Sequence, residues 1–212
     1  MCRVLITLGD SWPEGAELGD GRRYGEILHD VMQFDEFYNY GSGGASNEDM
    51  LYQLQRYIAD HYSNDCETTA IFFLTNPART AHFPRFMDWW DVDNAKLKEV
   101  YLHFNNTEHE VMRSSSTVAA LQKWCEMLNI NDYYFSGWVR YSTWLPGVDT
   151  TKIWAAGNET AADWFGASKH NGEHLLDVGD NPYIRPNFAH PNQLGHKLIA
   201  SKLQEWIEKC TF

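Results

Sequence analysis

A serine near the N-terminus and a histidine near the C-terminus are the residues of this sequence best suited to nucleophilic chemistry. Ser11 lies in Gly9-Asp10-Ser11-Trp12, directly after the apolar run from Val4 to Leu8, which predicts a strand that delivers the serine onto a sharp turn. A serine hydroxyl needs an adjacent base to attack a carbonyl near neutral pH, and His190 is the natural candidate. Because most of the chain separates the two residues, only the fold can bring them together.

Two elements between Ser11 and His190 could stabilise the oxyanion that forms when an ester is cleaved. Such a charge must meet hydrogen-bond donors that are fixed in advance. Gly44, in the loop from Gly41 to Ser46, could offer a backbone N–H that no side chain obstructs. Asn76 follows an apolar run, and its amide could be a second donor. Each residue alone fits an ordinary turn, but their order, each at a strand end or helix start, indicates a shared site.

The elements that must position these residues alternate between strand and helix in the first half of the chain. Apolar periodicity predicts strands at Arg3–Leu8, Glu36–Tyr40, Ala70–Leu74 and Tyr133–Trp138, and helices at Tyr24–Met32, Asn47–His61, Asn94–His103, Thr107–Leu128, Thr160–Phe165 and Asn192–Lys209. In the last helix, we expect Leu194, Leu198, Leu203, Trp206 and Ile207 to face inward. The alternation predicts a single α/β domain over residues 1–212, a three-layer α/β/α sandwich with a mainly parallel sheet.

Periodicity fades from Val139 to Ala189, where Gly, Asn, Asp and Pro accumulate. A segment of this length without a pattern suggests an insertion that lines a site, with disorder as the alternative. The tryptophans of the middle region could stack on sugar rings or an acyl group, but packing is the favoured interpretation for most of them: Trp89, Trp90, Trp138, Trp144, Trp154 and Trp164.

The sequence resembles the SGNH (GDSL-type) hydrolases in four ordered blocks that span nearly the whole chain. They are Gly9-Asp10-Ser11, the run from Asn39 to Ser46, Asn76 between the divergent flanks Leu74-Thr75 and Pro77, and Asn187-Phe188-Ala189-His190-Pro191. The resemblance implies a flavodoxin-like architecture with a long insertion before the last helix. It implies Ser11 as nucleophile, His190 as base, and an oxyanion hole formed by the Ser11 and Gly44 backbone N–H groups and the Asn76 amide.

The residue that orients the histidine is open at this stage. Asn187 stands where the family places an acid, and an amide can orient the ring but carries no charge. Asp177, Asp180 or a backbone carbonyl could take that role instead.

The resemblance implies a serine esterase that hydrolyses short-chain acyl esters, including O-acetyl groups on carbohydrate, through an acyl-Ser11 intermediate. Asn187 favours the alternative of a non-catalytic protein that binds a carbohydrate or acyl ligand, and an O-acyltransferase is a third interpretation.

The partner that the resemblance implies is a small-molecule or carbohydrate ester, and composition argues against other classes. The net charge of -12, with no Lys/Arg cluster, argues against nucleic acid. No apolar stretch reaches the roughly 20 residues that a membrane span requires, and no signal peptide is visible, so a cytoplasmic location is expected. The four scattered cysteines are expected to be free thiols.

No cofactor or metal is expected. His170-Asn171-Gly172-Glu173-His174 matches a zinc-protease pattern, but Asn171-Gly172 is a turn signal that would break the helix this chemistry needs.

Overall fold

The computed structural model describes residues 2–77, 79, 107–137, 139–141, 143–166, 181–185 and 190–210. Its strands are β1 (Cys2–Leu8), β2 (Glu36–Asn39), β3 (Cys66–Leu74) and β4 (Ile130–Ser136). Its α-helices are α1 (Ser11–Glu14), α2 (Tyr24–Met32), α3 (Asp49–Asp60), α4 (Thr107–Met127), α5 (Ala161–Trp164) and α6 (Gln193–Cys210). The helix predicted at Asn94–His103 lies outside the described residues.

The four strands form one parallel sheet in the order β2-β1-β3-β4. In the centre of the sheet, Ile6 of β1 is in register with Tyr38 of β2 and with Ala70 of β3. All the strands run the same way, so their carboxyl ends meet at one edge, where ligands of open α/β folds collect. The turns after β1, β2 and β3, which carry Ser11, Gly44 and Asn76, all leave the sheet at this edge.

Helices cover both faces of the sheet, which confirms the predicted three-layer α/β/α architecture. Side chains alternate along β1, so that Ile6 joins one core and Leu5 the other. The first core contains Met50 and Leu54 of α3 and Val118 and Leu121 of α4, and the second contains Tyr24 and Leu28 of α2 and Ile199 and Leu203 of α6. Both faces of the two central strands are buried, which explains the nearly continuous apolar runs Val4–Leu8 of β1 and Ala70–Leu74 of β3.

The inward face predicted for α6 is wrong at Leu194, whose exposed fraction is 52%. The structure instead buries His196, which is 1% exposed, together with Gly195. His196 is buried because its ring stacks on Tyr24 of α2, and Gly195 is buried because it packs against the Tyr183 carbonyl in the 181–185 segment.

The described part of the predicted insertion contains two 3₁₀-helices, Thr150–Lys152 and Trp154–Gly157, followed by α5. Its tryptophans pack on other aromatic rings. Trp144 stacks on Tyr141 with 5.2 Å between ring centroids, and Trp164 stacks on Phe135 of β4 at 5.8 Å. Trp89, Trp90 and Trp138 lie outside the described residues. Within the described part of the chain, no helix combines the length and apolar character needed to cross a membrane.

Candidate active site

The turn after β1 presents Ser11 at the first position of α1. Gly9 has a φ of 135°, and a Cβ there would lie 2.7 Å from the Phe73 carbonyl oxygen of the neighbouring strand. Only glycine fits this close approach without displacing backbone. Gln53 of α3 holds both backbone polar groups of Gly9, since its Oε1 accepts from the Gly9 N–H at 2.7 Å and its Nε2 donates to the Gly9 carbonyl at 2.9 Å. The backbone that leads into Ser11 is therefore clamped.

The structure brings His190 to Ser11 although the two residues are 179 positions apart, with 2.9 Å between His190 Nε2 and Ser11 Oγ. The backbone around His190 is anchored by a short antiparallel bridge between Ile184 and Pro191. The Arg185 N–H donates to the His190 carbonyl at 2.9 Å. These bonds anchor the backbone that carries the ring, and the hydroxyl and imidazole lie close enough to form the pair that nucleophilic catalysis requires.

The first turn of α6, which follows His190 in the chain, is packed closely against its neighbours. A Cβ on Gly195 would lie 2.4 Å from the Tyr183 carbonyl oxygen, so the helix and the 181–185 segment approach more closely than a side chain allows. Asn192 caps the helix by accepting from the Gly195 N–H at 3.1 Å. Nδ1 of His196 accepts from the Tyr24 N–H at 3.1 Å, which joins α6 to the start of α2. Burial, followed by the charges of Arg23 and His190, lowers the pKa of His196 to about 4.

The other ring nitrogen of His190 faces a residue that the sequence did not suggest. Nδ1 lies 3.3 Å from Oε2 of Glu17, in the loop after α1. Nδ1 is buried and forms no hydrogen bond with a described residue, so the contact is short enough for electrostatic attraction but is not aligned as a hydrogen bond. The three residues considered for this role, Asn187, Asp177 and Asp180, lie outside the described residues.

The loop that carries Gly44 is attached to the nucleophile turn. The Ser42 N–H donates to the Gly9 carbonyl at 3.1 Å, and the Ala45 N–H donates to the Ser42 carbonyl at 3.0 Å. Gly44 has a φ of 73°, in the left-handed region that favours glycine. The loop therefore holds a backbone conformation that leaves one face of the Gly44 peptide without a side chain.

Asn39 and Gly41 fix this loop against α1. The Asn39 side chain accepts from the Gly41 N–H at 2.9 Å and from the Thr7 hydroxyl at 3.1 Å, and it donates to the Pro13 carbonyl at 2.6 Å. A Cβ on Gly41 would lie 2.4 Å from the backbone nitrogen of Glu14. The loop and the nucleophile helix are therefore held in close contact.

A buried polar network fixes the loop that carries Asn76. The Thr75 N–H donates to Oδ1 of Asn47 at 2.9 Å, and Nδ2 of Asn47 donates to the Tyr141 hydroxyl at 2.8 Å. The Tyr141 hydroxyl in turn donates to the Thr75 carbonyl. Asn76 follows this anchored peptide directly, and its carbonyl accepts from the Arg79 N–H at 3.0 Å. Its role as a donor to an oxyanion stays a prediction, as does that of Gly44.

Asp10, which precedes the nucleophile, has a structural place. Its carboxylate is buried and accepts from the Trp12 N–H at 3.1 Å, the Thr75 hydroxyl at 2.7 Å and Nη1 of Arg79 at 2.9 Å. A buried carboxylate with three donors is well satisfied. Asp10 thus joins the turn after β1 to the turn after β3, rather than facing His190.

Comparison with solved structures finds esterases that share this architecture. The chain aligns with the psychrotrophic esterase EstA from Pseudoalteromonas sp., in a structure inhibited by monoethylphosphonate, at 16% identity and a TM-score of 0.53, with 98% of each chain covered. For Axe2, an acetylxylan esterase from Geobacillus stearothermophilus, the values are 14% and 0.51, with 96% of this chain and 93% of that one covered. A protein assigned to the G-D-S-L lipolytic family from Desulfitobacterium hafniense aligns at 12% identity and a TM-score of 0.53, with 96% of this chain and 98% of that chain covered.

The protein has the fold of the GDSL esterases. The resemblance seen in the sequence is therefore confirmed at the level of the fold. No protein-family model matches the sequence, and no curated protein matches it.

Several residues that shape the candidate site were missed in the sequence, and only one of them carried a signal. Gln53 is a polar residue within the apolar stripe formed by Met50, Leu54 and Tyr57, and a polar side chain in such a stripe usually has a buried hydrogen-bond partner. Glu17 had no such signal, because a charged residue in a glycine-containing loop is normally solvated. Among the described residues, no cluster of three or more metal-ligating side chains occurs, and the motif from His170 to His174 lies outside them.

Proposed function

We propose that the protein is a serine esterase that hydrolyses short-chain acyl esters, including O-acetyl groups on carbohydrate. The observation that carries the proposal is the 2.9 Å distance between Ser11 Oγ and His190 Nε2 at the carboxyl edge of the sheet. The likeness to EstA and to the acetylxylan esterase Axe2 supports the same class of reaction.

In the proposed mechanism, Ser11 Oγ attacks the ester carbonyl carbon while His190 Nε2 takes the hydroxyl proton. The carbonyl oxygen becomes an oxyanion, which the backbone N–H groups of Ser11 and Gly44 and the Asn76 amide would stabilise. The intermediate collapses by breaking the bond to the alcohol, and His190 returns the proton to the leaving oxygen. Water, activated by His190, then attacks the acyl-Ser11 ester and releases the acid.

The fixed backbone around the site suits this role. An oxyanion hole is effective when its donors need no reorganisation at the moment of reaction. The Gln53 clamp on Gly9, the attachment of the Gly44 loop to α1, and the network around Thr75 all restrict such movement. No cofactor is required by this chemistry.

Covalent labelling of Ser11 by a fluorophosphonate, read by intact mass, tests the proposal together with turnover of a short-chain aryl ester. We expect one adduct in the wild type, none in Ser11→Ala, and turnover lower by more than about 10³-fold in Ser11→Ala and His190→Ala. Ser201→Ala, on the exposed side of α6, is the matched control and should behave as the wild type.

Two results would favour the other candidates. An unreactive Ser11 in a protein that still binds an acetylated sugar would indicate the binding protein that Asn187 suggests. Transfer of the acyl group to an added alcohol in preference to water would indicate an O-acyltransferase. Aryl ester turnover that survives unchanged in Ser11→Ala would contradict an acyl-Ser11 intermediate.

A further inference from the structure

The loop from Gly15 to Gly21 holds Glu17 in an unusual backbone conformation beside the base. Glu17 has a φ of 63°, in the left-handed region that disfavours residues with a Cβ. The residues on both sides are tied down, since the Ala16 N–H donates to the Ser11 carbonyl at 3.0 Å and the Leu18 N–H donates to the Gly15 carbonyl at 3.1 Å. Strained residues that persist in a fixed surrounding occur preferentially at functional sites.

The second observation is the state of His190 Nδ1. For Nε2 to accept the proton of Ser11, the ring must carry its proton on Nδ1, and a buried N–H needs an acceptor. Nδ1 is buried and has no hydrogen bond to a described residue, while the carboxylate of Glu17 lies 3.3 Å away. A carboxylate can only accept, so it favours the tautomer that makes His190 a base.

The charge of Glu17 also suits the acylation step. When the Ser11 proton reaches Nε2, the ring becomes an imidazolium, and the ionised carboxylate attracts it without taking a proton. The Glu17 side chain is 35% exposed and that of His190 is 23% exposed, so solvent screens part of the attraction. The effect should therefore be smaller than that of a fully buried acid.

We propose that Glu17 is the residue that orients His190 and stabilises its charged form, in place of an acid at position 187. This inference rests on the proposed esterase function. The nucleophile and the acid would then come from α1 and the loop that follows it, near the start of the chain, and the base alone would come from its far end. Asn187 would not be required for the orientation of the ring.

Two variants of Glu17 and one matched control test the proposal. Glu17→Gln keeps the size of the side chain and removes its charge. Glu17→Asp keeps the charge but moves it away from His190, because the side chain is one methylene shorter. Asp20→Asn removes a charge from an exposed position in the same loop. We expect Glu17→Gln to lower kcat and the rate of fluorophosphonate labelling by about 10- to 100-fold, less than the roughly 10⁴-fold known for a buried triad acid, with little change in KM. Glu17→Asp should fall between Glu17→Gln and the wild type, and Asp20→Asn should match the wild type.

A readout independent of turnover separates this inference from the esterase proposal. Nitrogen-15 NMR of the His190 ring at alkaline pH reports which nitrogen carries the proton. We expect the Nδ1–H tautomer in the wild type and a smaller fraction of it in Glu17→Gln, because an amide can donate as well as accept. An unreactive Ser11 with this tautomer shift would refute the esterase function but leave the Glu17–His190 interaction standing.

The inference is overturned if Glu17→Gln has the wild-type tautomer and the wild-type labelling rate. A loss of labelling in Asn187→Ala, Asp177→Ala or Asp180→Ala, with Glu17→Gln unaffected, would likewise overturn it and assign the role to that residue. Under the inference, Asn187→Ala should stay within about 3-fold of the wild type, well below the effect of removing a group that acts on the base.

Discussion

Acidification should destabilise the protein through His196, which joins α6 to α2 beneath the candidate site. The His196 ring is 1% exposed and stacks on Tyr24, and its Nδ1 accepts from the Tyr24 N–H. A protonated Nδ1 could not accept this bond. Burial, and then the charges of Arg23 and His190, hold the pKa of His196 at about 4, below its ordinary value of 6.5.

The sign of the effect follows from the lowered pKa. Between pH 6.5 and about 4, the unfolded chain binds a proton at His196 that the folded protein does not, so stability is lost as the pH falls through this window. The gap between the two pKa values corresponds to about 3 kcal/mol in total. About 2 kcal/mol of this would already be lost on going from about pH 7 to about pH 5.

Urea unfolding of the wild type and of His196→Asn at the two pH values measures this contribution. The asparagine oxygen can accept from the Tyr24 N–H but does not titrate, so other titrating groups contribute equally to both proteins and cancel. We expect the free energy of unfolding of the wild type to fall by about 2 kcal/mol more than that of the variant. Equal losses in the two proteins would refute the assignment of a buried, neutral His196.

Two further substitutions test the packing that holds the site. Gly41→Ala would place a Cβ 2.4 Å from the Glu14 nitrogen. We expect the free energy of unfolding, measured by heating, to fall by about 2 kcal/mol and the labelling of Ser11 to slow. Labelling at the wild-type rate would show that the Gly44 loop does not depend on this contact. Lys152→Met would leave the fully buried Asp132 carboxylate without the ammonium group that lies 2.6 Å away. We expect urea unfolding to show a destabilisation of about 3 kcal/mol, whereas the control Lys123→Met, which removes an exposed ion pair, should change the stability little. Equal effects of the two substitutions would contradict the reasoning.

Much of the fold was predictable because its apolar pattern is local. The prediction for α2 matches the observed helix at both ends, and those for α3 and α4 differ by two residues or fewer at each end. The start of β3 was missed because Thr68 and Thr69 are polar, yet both are buried within the sheet. Pairing with β1 and β4 extends the strand beyond its apolar run.

In α6, the apolar periodicity predicted the wrong buried residues in the first turn. Leu194 fits the apolar stripe but is exposed, while His196 is buried although histidine is usually at least partly exposed. The burial of His196 is decided by its contact with Tyr24 of α2, which is 172 positions away in the sequence and therefore outside any pattern within the helix.

The sequence by itself determined the alternation of strands and helices. It also determined that the turns carrying Ser11, Gly44 and Asn76 lie at one edge of the sheet. It could do so because apolar periodicity and turn chemistry act over a few residues. Only the tertiary structure decided that His190 Nε2 reaches Ser11 and that Nδ1 faces Glu17. Contacts across the fold depend on loop closure and on backbone angles such as the positive φ of Glu17, which no local pattern of residue types encodes.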